Sequence, residues 1–196
     1  METIEDTEFR GDDWYGDELT ERAYKRCTFS QVDMTEASTR GVVFEDCVFH
    51  NVRFNASRHT DSAFLRCSFK SCNFFDADFD GCKMTGSQFG QSVMRPLRVE
   101  GGDWSFASLH GRDLTGAVFR NVRMREVDLT AANLSGATLT NVDLSGAALG
   151  EVNLTGADLR GSDLTSLDPL TVRLRDAVID GDQAVVVAQA LGLKVQ

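Results

Sequence analysis

From residue 128 to 167 the chain repeats every five residues: DLTAA, NLSGA, TLTNV, DLSGA, ALGEV, NLTGA, DLRGS, DLTSL. Leucine stands second in each block, at Leu129, Leu134, Leu139, Leu144, Leu149, Leu154, Leu159 and Leu164. A period of five matches neither a helix, near 3.6, nor a simple strand of two, so the chain must build a repeat architecture. Extended in both directions, the register runs through 35 consecutive centres from Phe9 to Ile179, and only Thr39, His59 and Pro169 are not large apolar or aromatic residues. No insertion breaks it.

A second column lies two residues before each centre. It is mostly small: Cys27, Val32, Ala37, Val42, Cys47, Val52, and later Ala132, Ala137, Val142, Ala147. Side chains two apart on an extended segment point the same way, and the residue between them points outward. The remaining pair, often Ser, Thr or Arg followed by Gly or Asn, suits a turn. Short extended sides joined by tight corners wind into a coil, and stacked coils pair as parallel β-ladders around a filled axis.

The A(D/N)LXX pattern of these residues resembles the pentapeptide repeat family. The resemblance implies an all-β fold, a right-handed quadrilateral parallel β-helix with four pentapeptides per coil. On a 20-residue coil Phe29, Phe49, Phe69 and Phe89 stack on one face, and Thr39 and His59 are neighbours on another. The β-helix is expected over residues 1–181, with a kink between two halves near 94–103, where Pro96 occupies a corner and Gly101 and Gly102 follow.

Beyond Ile179 the chain ends in DGDQAVVVAQALGLKVQ. Residues 182–193 read as a short C-terminal α-helix capped by Asp182 and stopped by Gly192. It is apolar on several sides, so it is expected to cover the open end of the coil and also to meet a second copy of the chain. Val185, Val187, Ala188, Leu191 and Leu193 are the expected dimer interface.

All five cysteines, Cys27, Cys47, Cys67, Cys72 and Cys82, fall in the small inward column and read as core thiols rather than metal ligands. His59, at a centre, reads as a hydrogen-bonded core histidine. The sequence has no G-x-S-x-G, P-loop, dinucleotide or HExxH motif, and no cofactor or metal is expected. A filled rod offers no cleft, so no enzyme is expected. The start, METIEDTEF, lacks an apolar run, and the stretch 184–193 is too short to span a bilayer. A cytoplasmic protein is expected.

Charge is the informative feature. The net charge is −10, which disfavours nonspecific attraction to nucleic acid or to an anionic membrane. Residues 1–21 hold nine acids and one base, 22–125 eleven acids and fifteen bases, and 126–182 ten acids and three bases. Asp103, Asp143 and Asp163 fall in one outward column interrupted by Arg123, while Asp128, Glu151 and Asp158 lie on other faces. Two readings are open: Asp is simply what the repeat tolerates outward, or the acids imitate the phosphate rows of a duplex.

Three stretches narrow the resemblance to the mycobacterial MfpA type, in the gyrase-binding, fluoroquinolone-resistance group. They are SRHTDSAF at 57–64, MRPL at 94–97 continuing to HGRDLTGAVFRNVRMRE, and the terminal DGDQAVVVAQALGL. The resemblance implies a homodimeric rod whose acidic surface imitates DNA and occupies DNA gyrase, with Asp103, Asp128, Asp143, Glu151, Asp158 and Asp163 as the partner-facing acids. The alternative is an interaction scaffold with a different protein partner.

Overall fold

Each pentapeptide lays down one extended side of a coil, as in Val42–Phe44, where Val42 and Phe44 are buried and Val43 lies between them at the surface. The corner is turned two residues after the centre, where φ is positive at residues as different as Arg26 (52°), Asp46 (54°) and Gly116 (67°). A left-handed residue is costly for most side chains, and here it recurs because the neighbouring coils fix the backbone on both sides.

The computed structural model describes all 196 residues. Its sides stack into parallel ladders in a constant 20-residue register, as in Phe29↔Phe49 and Phe49↔Phe69. We number the four faces by their centres. Face 1 carries a 4-stranded sheet of Glu2–Glu5, Arg22–Lys25, Val43–Glu45 and Ala63–Leu65. Face 2 carries a 5-stranded sheet running from Glu8–Arg10 to Gln88–Gly90. Face 3 is joined by single bridges such as Asp33↔Arg53 and Arg53↔Asn73. Face 4 carries a 7-stranded sheet running from Glu18–Thr20 to Thr138–Thr140. The register begins one unit earlier than the sequence reading placed it, since Ile4 pairs with Tyr24.

One apolar cluster of 50 buried residues runs along the axis. The rings on face 2 stack in a file, with centroids 4.9 Å apart for Phe9–Phe29, 4.7 Å for Phe29–Phe49, 4.8 Å for Phe49–Phe69 and 4.9 Å for Phe69–Phe89. That spacing is the strand separation itself, so the ladder sets the stacking distance. Large and small positions compensate. Trp104, fully buried, follows Gly102 in the small column, and a Cβ on Gly102 would lie 2.0 Å from the Cys82 carbonyl oxygen. All five cysteines are buried and unbridged, with thiols turned to backbone carbonyls, as Cys47 Sγ to Tyr24 O at 3.3 Å.

His59 sits in this core beside Thr39. Ser57 Oγ donates to the Phe54 carbonyl at 2.8 Å, so it accepts from His59 Nε2 at 3.0 Å, and Nδ1 then accepts from Thr39 Oγ1 at 2.8 Å. Both ring nitrogens are thereby used by a neutral imidazole. Burial pushes the ring pKa down to about 3.

The chain stays in register past Pro96, but the face 3 ladder is interrupted there: Asn73 bridges Val93 and Asp113 bridges Asn133, whereas Val93 and Asp113 do not pair. Asp76 N–H donates to the Pro96 carbonyl at 2.9 Å and Gly81 N–H to Glu100 at 2.8 Å. Pro96 occupies a corner position where most other corners take positive φ, a value its ring cannot reach, and the Arg95–Pro96 bond is cis.

The helix spans Gly181–Ala190 and begins at a different cap from the one expected. Asp180, not Asp182, is the N-cap: it accepts from Gln183 N–H at 3.0 Å, and its own N–H donates to Gln183 Oε1 at 2.9 Å. This capping box needs a Gln or Glu three residues after the cap, which Asp180 has in Gln183. Gly161 N–H also donates to Asp180 Oδ2 at 3.0 Å, tying the helix start to the last coil. The helix lays Gln183, Val186 and Val187 on the end of the core, and Val185 faces outward with Leu191 and Leu193 beyond the helix. Val187 therefore belongs to the end cap rather than to a free outer face, and Ala188 is half-buried.

Candidate protein-interaction surface

The outward residue of each side does a structural job when it is Asp or Asn. Its side-chain oxygen accepts the N–H two residues on and so holds the corner, as Asp103 from Ser105 (3.0 Å), Asp128 from Thr130 (3.0 Å), Asp163 from Thr165 (2.8 Å) and Asp168 from Leu170 (3.0 Å). This Asx-turn explains why the repeat favours these two residues at this position. The turn does not need the charge. Asn133 accepts from Ser135 at 3.2 Å and Asn153 from Thr155 at 3.1 Å in the same way.

The six acids singled out by sequence divide into two groups. Asp103 pairs with Arg123 one rung on at 3.2 Å, Asp143 with Arg125 at 2.6 Å, and Asp158 with Arg160 at 2.7 Å. Burial raises the Asp103 pKa, but hydrogen bonds from Ser105 and Arg123 outweigh it and hold the carboxyl below its ordinary value. Asp143 follows the same balance, with Ser145 and Arg125 outweighing burial. For Asp158 the Arg160 hydrogen bond is the leading cause of the lowering. Asp128 has only a 3.7 Å contact with His110. Glu151 and Asp163 have no basic partner.

The single row of Asp103, Asp143 and Asp163 is thus largely neutralised within the chain, because arginines one rung away or on the adjoining corner reach it. Carboxylates without a strong basic partner remain at Asp163 on face 1 and around face 2 of the C-terminal half. Asp128 and Asp168 are two 20-residue repeats apart in the outward register, although the face 2 ladder itself ends at the Asp128↔Ala148 bridge, and Glu126 and Glu151 occupy the corners on either side of Asp128. Glu126 and Asp168 were missed from sequence. The signal was present: Asp168 is 40 residues, two coils, from Asp128.

Residues 3–94 match the family model described as the SV2A/B/C luminal domain, and residues 105–141 and 138–168 match the model of pentapeptide repeats in eight copies. Comparison with curated protein sequences gives no match. Among solved structures, a trypsin-treated variant of QnrB1, a plasmid-mediated fluoroquinolone resistance protein, superposes with a TM-score of 0.85 at 19% identity, covering 99% of this chain and 100% of that one. Full-length QnrB1 gives 0.72 at 18% identity, covering 97% of this chain and 100% of that one. At these identities the likeness is one of fold. With its five-residue register, its four-faced coil and the pentapeptide-repeat matches over residues 105–168, the chain has the pentapeptide-repeat fold, a parallel β-solenoid shared with QnrB1.

Proposed function

We propose that the chain is a DNA mimic that binds DNA gyrase, competes with DNA for it and lowers fluoroquinolone-stabilised cleavage. One observation carries this reading: Glu126, Asp128, Glu151 and Asp168 crowd one side of the C-terminal half without a strong basic partner, and the Asx-turns at Asp128 and Asp168 would form equally well with Asn. The negative charge is additional to what the fold requires. The sequence resemblance to the gyrase-binding group and the fold shared with QnrB1 support it.

The mechanism is electrostatic and steric. Carboxylates fixed on stacked rungs form a rigid anionic surface that a basic, DNA-holding groove accepts without reorganisation, and the filled rod then excludes the duplex. A second copy joined through the C-terminal end would double that surface. Val185 (37% exposed), Leu191 (47%) and Leu193 (60%) leave apolar surface there for a partner copy, and Leu170 (80%) is exposed in the last coil. The coarser reading, an interaction scaffold with another protein, is favoured by the internal pairing of Asp103, Asp143 and Asp158, which breaks the acidic row.

The test is a gyrase supercoiling titration with and without a fluoroquinolone, scoring cleaved DNA. The combined change Glu126→Gln, Asp128→Asn, Glu151→Gln and Asp168→Asn keeps the turns and removes four charges. Inhibition should weaken about tenfold or more, and rising salt should weaken the wild type in the same direction. Wild-type protein that alters neither supercoiling nor cleavage would leave the scaffold reading.

A further inference from the structure

Two residues shape the corner between faces 2 and 3. Gly90 leaves a gap in the outward row of face 2 between Lys70 and His110, and Arg112 stands in the small inward column of face 3, where Val, Cys, Ser or Ala is usual. Together they shape a notch of about 240 Å³ whose rim includes Lys70, Gln88, Gly90, Ser108, His110 and Arg112.

Lys70 and His110 sit on rungs either side of Gly90, so their backbones are about 9–10 Å apart. A tetrahedral oxyanion about 5 Å across fits between side chains reaching in from both rungs. Arg112 is half-buried, and its Nε donates to the His110 carbonyl at 3.1 Å, which orients the guanidinium and leaves its terminal nitrogens available. Neither Lys70 nor Arg112 forms an ion pair within the chain, in contrast to Arg26, Arg53, Arg66, Arg123 and Arg125. The acid at this rim is Asp128, 3.7 Å from His110 Nδ1 and 3.5 Å from Ser108 Oγ. Gln88 and Ser108 add neutral donors. Gly90 opens the space, and Arg112, the one charged residue here in a column usually small, adds a cation to those of the outward row; local departures from a pattern occur at functional or strained sites.

We propose that this notch is an oxyanion site that binds a phosphate group, free or as a small monoester, through Lys70, Arg112 and His110. It uses cations of the N-terminal and middle coils and is independent of the gyrase reading, since the test needs only the isolated protein.

Phosphorus NMR titrations with inorganic phosphate and with methyl phosphate, at constant ionic strength, measure it directly. Wild-type protein should give a saturable, single-site response. The double change Lys70→Ala and Arg112→Ala should weaken it about tenfold or more. Gly90→Glu should abolish it, and it is tolerated by the backbone because a Cβ there meets nothing closer than the Phe69 carbonyl at 3.6 Å. Circular dichroism identifies any variant that has failed to fold. Saturation by the free anion alone assigns a phosphate site closed to esters, and saturation by both assigns one open to them. A linear, unsaturable response of the wild type, or folded variants that titrate like it, would overturn the proposal.

Discussion

A buried histidine makes the core a sensor of acid even without catalytic work to do. His59 is neutral in the fold, with a pKa pushed down to about 3 by burial against an ordinary value of 6.5. In that window the unfolded chain binds a proton that the folded chain refuses, so stability is complete above pH 6.5 and falls as pH falls towards 3. The full effect is about 5 kcal/mol. Replacing His59→Phe should flatten the dependence of the urea midpoint on pH between 6.5 and 4, because Phe79, stacked on the ring at 4.7 Å, accepts an aromatic neighbour. An unchanged slope would mean that other groups carry the acid sensitivity.

At the scale of the element, the short helix Gly181–Ala190 closes the coil through one polar side chain as well as through apolar contact. Gln183 Nε2 donates to the carbonyls of Leu159 at 2.6 Å and Ser162 at 2.7 Å. Within the rod such a carbonyl is met by the N–H 21 residues on, as Val142 O is by Asp163 N–H at 3.0 Å. At the last coil no further rung exists, and the Gln183 amide replaces it. Changing Gln183→Leu should strand the Ser162 carbonyl, leave the Leu159 carbonyl with only the Ser162 N–H at 3.1 Å, and undo the capping box. The expected loss is about 2–4 kcal/mol, read as a lower melting temperature with unaltered β-sheet circular dichroism at 20 °C. A melting temperature equal to the wild type's would show that apolar contact alone seals the end.

For the whole molecule, stacked coils interact only with their neighbours, so each end is a separate boundary to be satisfied. Val186 and Val187 answer the demand of the core, whereas Val185, Leu191 and Leu193 remain exposed, and the proposed dimer would use them. Leu191→Asp together with Leu193→Asp should convert a dimer to a monomer by light scattering without lowering the melting temperature of the rod. Val187→Asp should lower that temperature instead. A dimer that persists in the first variant places the interface elsewhere.

The sequence by itself determined the five-residue register and the inward and outward columns, because side-chain direction along an extended backbone follows from covalent geometry. The four-sided coil, and with it the file of Phe29, Phe49, Phe69 and Phe89 and the pairing of Thr39 with His59, came from the family resemblance, and the 20-residue ladder bears it out. The tertiary structure decided which charges are free. Asp103 and Asp143 look the same as Asp163 in the repeat, but only the first two lie within reach of Arg123 and Arg125, which depends on side-chain conformation across stacked rungs. It also anchored the cap. Gln183, three residues on, already favours Asp180 over Asp182, and Gly161 N–H and the carbonyls of the last coil hold the helix start there. Periodicity fixes where a side chain points; what it meets there is set by the neighbouring coil.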